Sequence, residues 1–158
     1  MRSRISAGLL AYRRKDGGLE VFIAHPGGPL FAHKDDGHWS IPKGEVEPGG
    51  DLLATAIREF EEETGVTIDP ASNFLALGSI RQKGGKTVHA WAVEGRWDDA
   101  QPIRSNTFSM QWPPGSGQMR DFPEVDRAQF FPLAEAKLKL KPTQLPLLKR
   151  LEEAIRDE

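Results

Sequence analysis

Residues 44–66 decide the fold and read GEVEPGGDLLATAIREFEEETGV. The proline and glycines at 48–50 cannot propagate a helix, Asp51 is a favourable N-cap residue, and Gly65 suits a left-handed helix end. These boundaries predict a helix over about residues 52–64 with a loop on either side. Its apolar residues recur at intervals of three and four, which predicts one buried stripe. The stripe consists of Leu52, Leu53, Ala56, Ile57 and Phe60.

Three carboxylates of this helix converge on a neighbouring face, because Glu59, Glu62 and Glu63 are three and four residues apart. An arbitrary acidic helix is by default a solvated face. Here, like charges at i,i+4 destabilise a helix by ~0.2–0.5 kcal/mol per pair, and negative charge in the last turns opposes the helix dipole by a further ~0.3–1 kcal/mol. A divalent cation would offset this cost, and Mg²⁺ characteristically joins a few carboxylates to substrate phosphates. The pattern indicates a metal site for a phosphorylated substrate.

Composition narrows the function classes. A chain of 158 residues predicts one domain over residues 1–158. The absence of cysteine excludes disulfides, thiolate zinc sites and cysteine nucleophiles, so any metal must bind oxygen or imidazole. A net charge of -2 argues against nucleic acid as a partner. No apolar stretch reaches the ~20 residues that span a bilayer, and no secretory signal is evident, so we expect a cytoplasmic protein without a membrane partner.

Short apolar runs on both sides of the helix predict β-strands. The expected strands are 5–13 paired with 19–25, 39–41 alone, 74–82 paired with 87–94, and 127–131 near the C-terminus. The long stretch of about 95–123 is rich in proline and glycine and predicts an irregular loop that is functional or mobile. Apolar residues at helical spacing predict a C-terminal helix over about 143–156, packed on the sheet.

Residues 44–66 resemble the Nudix box, in which a glycine, a glutamate, an Arg-Glu pair, a Glu-Glu pair and a second glycine stand at fixed spacing. A match of this length is far more specific than a short glycine motif. The matching positions are Gly44, Arg58, Glu59, Phe60, Glu62, Glu63, Gly65 and Val66. One position departs from the family pattern, because Gly50 stands where the first glutamate is expected and Asp51 is displaced by one residue.

The resemblance implies an α/β fold, the Nudix α/β/α sandwich with a mixed, partly antiparallel central sheet, and hydrolysis of a phosphoanhydride bond in a nucleoside diphosphate linked to another group. It implies that Glu59, Glu62 and Glu63 hold Mg²⁺ or Mn²⁺, which would lower the pKa of a bound water that attacks phosphorus. Arg58 is expected to hold Glu59 in position. The general base is left open between Glu59, Glu63 and Glu124, and Glu124 is equally compatible with a surface role.

Two segments outside the helix bear on the substrate. Residues 42–49 and 86–91 are similar to the asymmetrically cleaving diadenosine tetraphosphate hydrolases, which favours a diadenosine polyphosphate cleaved to ATP and AMP. The tyrosine that those enzymes use to stack a base is not evident near residues 82–84. Phe108 or Trp112 in the long loop could stack a base instead, although an aromatic residue there more often fills the core.

Four basic residues suit a run of phosphates, although exposed basic residues are by default solvated. They are Lys43, Arg81, Lys83 and Lys86.

Two rival functions stay open. One is a non-catalytic, nucleotide-binding Nudix domain, motivated by Gly50. The other is a different specificity at the same site, for nucleotide sugars, modified nucleoside triphosphates, RNA 5′ ends or inositol pyrophosphates, since one fold hosts many functions. The sequence also leaves a homodimer open.

Overall fold

The computed structural model describes residues 4–95, 97, 100 and 102–157. The described strands are β1 (Ile5–Lys15), β2 (Gly18–Pro26), β3 (Lys43–Glu45), β4 (Leu75–Arg81), β5 (Thr87–Glu94), β6 (Thr107–Gln111), β7 (Met119–Pro123) and β8 (Val125–Pro132). The described helices are α1 (Leu52–Thr64), α2 (Leu133–Lys139) and α3 (Leu145–Arg156), and a 3₁₀ turn, Pro142–Gln144, precedes α3. None of the helices in this part of the chain combines the length and apolarity that crossing a membrane requires.

The main sheet has the order β4-β5-β1-β2-β8, with β3 also paired to β1. Strand β1 is parallel to β5, whereas the β1–β2, β1–β3, β2–β8 and β4–β5 pairs are antiparallel. The turn between β1 and β2 places Asp16 and Gly17 at positive φ, as a tight hairpin turn requires. The predicted mixed sheet is confirmed.

Helices cover both faces of this sheet. Alternate residues of β1 point to opposite faces, so Leu9 packs in the same core as Phe60 of α1, and Leu10 packs in the core that contains Leu148 of α3. All four side chains are at most 1% exposed. The sheet therefore lies between two helical layers, with one core on each face, which is the α/β/α sandwich predicted from the sequence.

Helix α1 has the predicted boundaries. Asp51 caps it, because its side-chain carboxylate accepts a hydrogen bond of 2.8 Å from the Ala54 amide. Gly65 ends it in the left-handed conformation, with φ of 78°, and its amide donates to the Glu61 carbonyl. Ala56 and Phe60 are buried, as predicted.

The cap gives a first prediction. Replacing Asp51 by Ala leaves the Ala54 amide without its partner, which destabilises a helix by typically ~1 kcal/mol. In a domain of this size that loss lowers the melting temperature by roughly 2–4 °C. Calorimetry of Asp51→Ala checks the value, and Asp51→Asn is the matched control because asparagine caps about as well as aspartate. Equal destabilisation by both variants would contradict the assignment of the cap.

The stretch predicted as an irregular loop contains a second, two-stranded sheet. Strands β6 and β7 pair antiparallel with each other and with no strand of the main sheet in the described residues. The sequence analysis missed them because both strands are only five residues long and largely exposed, and the proline and glycine of the stretch outweighed the alternation of Phe108 and Met110 with polar residues in β6. Positions 96, 98, 99 and 101 of the same stretch lie outside the described residues.

Candidate active site

One cavity of about 520 Å³ lies beside the C-terminal half of α1. We call it the carboxylate cavity, because its lining includes Glu45, Glu59, Glu62, Glu63 and Glu124. Helix α1 supplies three of these side chains from one face, as the spacing predicted. The helix packs against β1 and β3, and β3 contains Gly44, the first glycine of the box pattern.

Backbone hydrogen bonds bring Glu124 to the cavity from far along the chain. The Asn106 amide donates to the Glu62 carbonyl at 2.7 Å, and the Glu124 amide donates to the Asn106 carbonyl at 2.9 Å. The Gly27 amide in turn donates to the Glu124 carbonyl at 2.9 Å. The end of α1 and the loops before β6 and after β2 thus fix the position of Glu124.

Gly44 packs directly against Glu59. A Cβ atom built on Gly44 would overlap the Glu59 carboxyl group, so only glycine leaves room for that side chain. The Glu59 side chain is 15% exposed. The first glycine of the box pattern lies within strand β3 and makes room for the Glu59 side chain of the site.

The carboxylates in the cavity raise each other's pKa. Burial, followed by the charge of the Glu59 carboxylate, raises the pKa of Glu63 to about 8. Burial, followed by the charge of Glu62, also raises the pKa of Glu59. Burial and then the neighbouring Lys141 lower the pKa of Lys43, against which Glu63 acts in the opposite direction. Burial is the first cause of all three shifts, and neighbouring carboxylates add to it for Glu59 and Glu63.

The donor set fits a hard divalent cation, because every acidic ligand candidate is a carboxylate. Among the residues described, however, no three His, Asp or Glu side chains stand close enough to coordinate one ion as they are placed. The carboxylates share a cavity without forming a closed coordination sphere. That arrangement is suited to an ion that completes its ligands with substrate and water.

Arg58 lies on the rim of the site. Its guanidinium nitrogens lie 3.2 Å from a Glu62 carboxylate oxygen and 3.6 Å from a Glu59 carboxylate oxygen. The Arg58 side chain is half exposed, so each single contact contributes little to stability. The geometry is that of a residue that orients two carboxylates.

A second cavity, of about 390 Å³, adjoins the first. We call it the lysine pocket, because Lys43, Lys83, Lys86 and Lys141 contribute to its lining. Lys43 and Lys141 line both cavities. Of the four basic residues predicted to bind phosphate, the structure brings Lys43, Lys83 and Lys86 together. Arg81 is exposed at the end of β4 and lines neither cavity.

The sequence analysis did not assign several residues that line the carboxylate cavity, among them Phe31, His38, Asn106 and Lys141. Lys141 belongs to a run in which lysine alternates with leucine, so nothing local distinguishes it from its neighbours. Phe108, a candidate for base stacking, instead pairs with the Phe122 ring at 6.1 Å and lines neither cavity.

Comparison with known proteins places this geometry in a family. The family model described as NUDIX domain matches residues 2–151. The asymmetrical bis(5′-nucleosyl)-tetraphosphatase of Rattus norvegicus is 40% identical over 74 residues, which cover 41% of this chain and 48% of that protein. An RNA pyrophosphohydrolase of Erythrobacter litoralis is 40% identical over 67 residues, covering 39% of each chain. The match thus spans about half the length of these relatives or less.

Solved structures agree on the fold. A C. elegans Ap4A hydrolase in a binary complex superposes with a TM-score of 0.66 at 21% identity, covering 97% of this chain and 99% of that one. The NUDIX domain of Shewanella oneidensis NrtR, complexed with ADP ribose, superposes with a TM-score of 0.67 at 16% identity, covering 98% and 90%. At these identities the likeness shows the fold alone. Together with the family model, it establishes that the chain belongs to the Nudix family.

Proposed function

We propose that this chain is a Nudix pyrophosphohydrolase that cleaves a phosphoanhydride bond in a nucleoside diphosphate linked to another group. One observation carries the proposal: three box glutamates and Glu124 line one cavity that adjoins a pocket of lysines. Acidic and basic walls side by side suit a metal-bridged polyphosphate. We also propose that residues 1–158 form a single domain and that the protein is cytoplasmic.

Glu59, Glu62 and Glu63 would hold Mg²⁺ or Mn²⁺. When bound, the cation would neutralise phosphate charge and lower the pKa of a coordinated water. A cation on Glu63 would also favour its ionised form, which burial alone disfavours. Arg58 would keep Glu59 and Glu62 turned toward the cavity, since it contacts both.

Glu124 is our preferred proton acceptor. It reaches the carboxylate cavity from a loop, outside α1, so accepting a proton would not remove one of the three carboxylates of the helix. Its backbone is held by hydrogen bonds on both sides, to Asn106 and Gly27. A general base must be held within reach of the proton that it removes. Glu59 and Glu63 stay as alternatives.

The substrate that we favour is a diadenosine polyphosphate, cleaved to ATP and AMP. The name of the rat relative supports this choice. Lys43, Lys83 and Lys86 would contact phosphates beyond the scissile bond. A second candidate is the triphosphorylated 5′ end of RNA, because the Erythrobacter litoralis relative is an RNA pyrophosphohydrolase.

The test is a chromatographic screen of the purified protein with Mg²⁺ or Mn²⁺. The substrates are diadenosine tetraphosphate, nucleotide sugars, nucleoside triphosphates and 5′-triphosphorylated RNA. ATP plus AMP from diadenosine tetraphosphate supports the preferred substrate. Turnover of another compound keeps the chemistry and replaces the substrate. If no compound is cleaved under any metal condition, the chain is a binding module and the proposed function is wrong.

The binding-module alternative is motivated by Gly50, and substitution of Gly50 tests whether this residue limits catalysis. Gly50 does not line the carboxylate cavity, and it does not have the positive φ that favours glycine. A Cβ there would lie 3.0 Å from the Glu47 carbonyl oxygen and 3.2 Å from a Val46 methyl carbon, which small shifts accommodate. We therefore expect Gly50→Glu to change kcat/KM by less than about threefold, the range of a surface substitution. Steady-state kinetics beside the wild type checks this. A gain of a hundredfold or more would show that Gly50 limits catalysis.

A further inference from the structure

The lysine pocket has a strongly basic lining. Four lysines contribute to it, and none of the described residues that line it is aromatic. A nucleobase is normally held by stacking on an aromatic face. The lining therefore suits an anion better than a base.

Among the described residues, Lys141 has no ion pair with an acidic side chain, unlike its neighbour Lys139. Lys139, two residues earlier, pairs with Asp35 at 2.9 Å and Asp36 at 3.2 Å, and these contacts raise the pKa of Lys139. No Asp or Glu of the described chain pairs with Lys141. Burial and then the nearby charge of Lys86 lower the pKa of Lys141. Lys141 lines the carboxylate cavity as well, but the one charge that shifts its pKa is that of another cation, Lys86.

The backbone of Lys141 is nevertheless firmly held. Its amide donates to the Trp39 carbonyl at 2.9 Å, and its carbonyl accepts from the Gln144 amide at 2.9 Å. Gln144 is completely buried, and its side-chain oxygen accepts a hydrogen bond of 2.9 Å from the Ile41 amide. The start of the Lys141 side chain is thus fixed at the wall that both cavities share. A fixed, partly buried cation without a counterion is a ready donor for a bound anion.

We infer that the lysine pocket binds a chain of phosphates in the ligand, not a nucleobase, and that Lys141 is a specificity-determining residue of this pocket. The inference rests on the proposed function only in that one ligand occupies both cavities. If the lysine pocket binds phosphates, the part of the ligand beyond the scissile bond carries several negative charges. A ligand whose far side is a neutral sugar would leave the lysine charges uncompensated.

Isothermal titration calorimetry in EDTA tests the inference without requiring turnover. Inorganic tripolyphosphate is titrated into the wild type, Lys141→Met and Lys149→Met. Lys149 is exposed on α3 and lines neither cavity, so its variant changes the net charge equally. We expect Lys141→Met to raise the Kd about tenfold or more, as loss of a charge-assisted hydrogen bond does. Lys149→Met should stay within about twofold, and Lys141→Arg should recover most of the affinity.

Two further ligands distinguish the source of the phosphates. Adenosine 5′-tetraphosphate carries them on a linear chain, and inositol hexakisphosphate carries them on a ring. The ligand with the larger loss of affinity in Lys141→Met identifies the shape that the pocket takes. Equal affinity of wild type and Lys141→Met for all three ligands, or an equal loss in Lys149→Met, overturns the inference. Binding without any hydrolysis in the screen would reject the proposed function and leave this inference intact.

Discussion

Replacing Glu63 by Gln is expected to lower kcat by roughly 10²–10³, the range associated with loss of one group that stabilises charge in an active site. Glu63 lines the carboxylate cavity and is one of the three box carboxylates that would hold the cation. Glutamine keeps the size of the side chain but cannot carry the negative charge. Steady-state kinetics with the substrate found in the screen measures the effect.

Glu61→Gln is the matched control on the same helix. Glu61 is exposed, does not line the cavity, and its side chain accepts only a long hydrogen bond of 3.3 Å from the Thr67 hydroxyl. Its substitution should leave kcat within about twofold, as for an ordinary surface change. Comparable losses in both variants would mean that the helix, not the Glu63 carboxylate, had been damaged.

Although Glu63→Gln is expected to lower activity, it is expected to stabilise the metal-free protein in EDTA at high pH. The pKa of Glu63 in the folded protein is raised from the ordinary value of 4.5 to about 8. At low pH both states are protonated, so wild type and Glu63→Gln should melt alike. Above pH 4.5 the unfolded chain ionises first and the wild type loses stability, a loss that levels off above pH 8. The variant should therefore melt higher at pH 8 than the wild type, and an equal or lower melting temperature there would contradict the burial of this carboxylate.

Local chemistry made α1 predictable from the sequence. Asp51 and Gly65 form its caps through contacts within a few residues, and the spacing of Glu59, Glu62 and Glu63 alone places them on one face. Such features need no knowledge of the rest of the chain. The longer strands of the main sheet were predictable for a similar reason, because they carry runs of apolar residues between glycine-containing turns. Strand β3 has no apolar residue and was not predicted, and the strand predicted at 39–41 was wrong, because Trp39 and Ser40 form only isolated bridges.

Residues that reach the site from elsewhere could not be placed in this way. Glu124 was a candidate only by resemblance, and the link through Asn106 that fixes it is made of backbone groups that no side-chain pattern reveals. Lys141 was missed because its role depends on the packing of Gln144 beneath the loop at Ile41. Tertiary contacts of this kind decide which of several similar lysines faces a cavity.

Replacing Gly44 by Ala is expected to lower kcat/KM by about a hundredfold while leaving the fold almost unchanged. The added methyl would overlap the Glu59 carboxyl group, which is the flexible end of a side chain and can swing away without moving the backbone. Gly44 is not in the left-handed region, so alanine brings no backbone strain there. Displacing a catalytic group by about 1 Å is enough to reduce a rate by ~10².

A matched glycine separates this effect from a general response to alanine. Gly18, at the start of β2, also lacks a positive φ, and a Cβ there would meet only the Lys15 carbonyl oxygen at 3.8 Å. Gly18→Ala should leave both kcat/KM and the melting temperature close to those of the wild type. If Gly44→Ala retains full activity, Glu59 does not need its place against the backbone of β3, and the metal site must form from Glu62, Glu63 and Glu124. If Gly44→Ala instead melts far below the wild type, the methyl has displaced α1 from β3, and the close packing of the helix on this strand, not the Glu59 carboxyl alone, requires glycine.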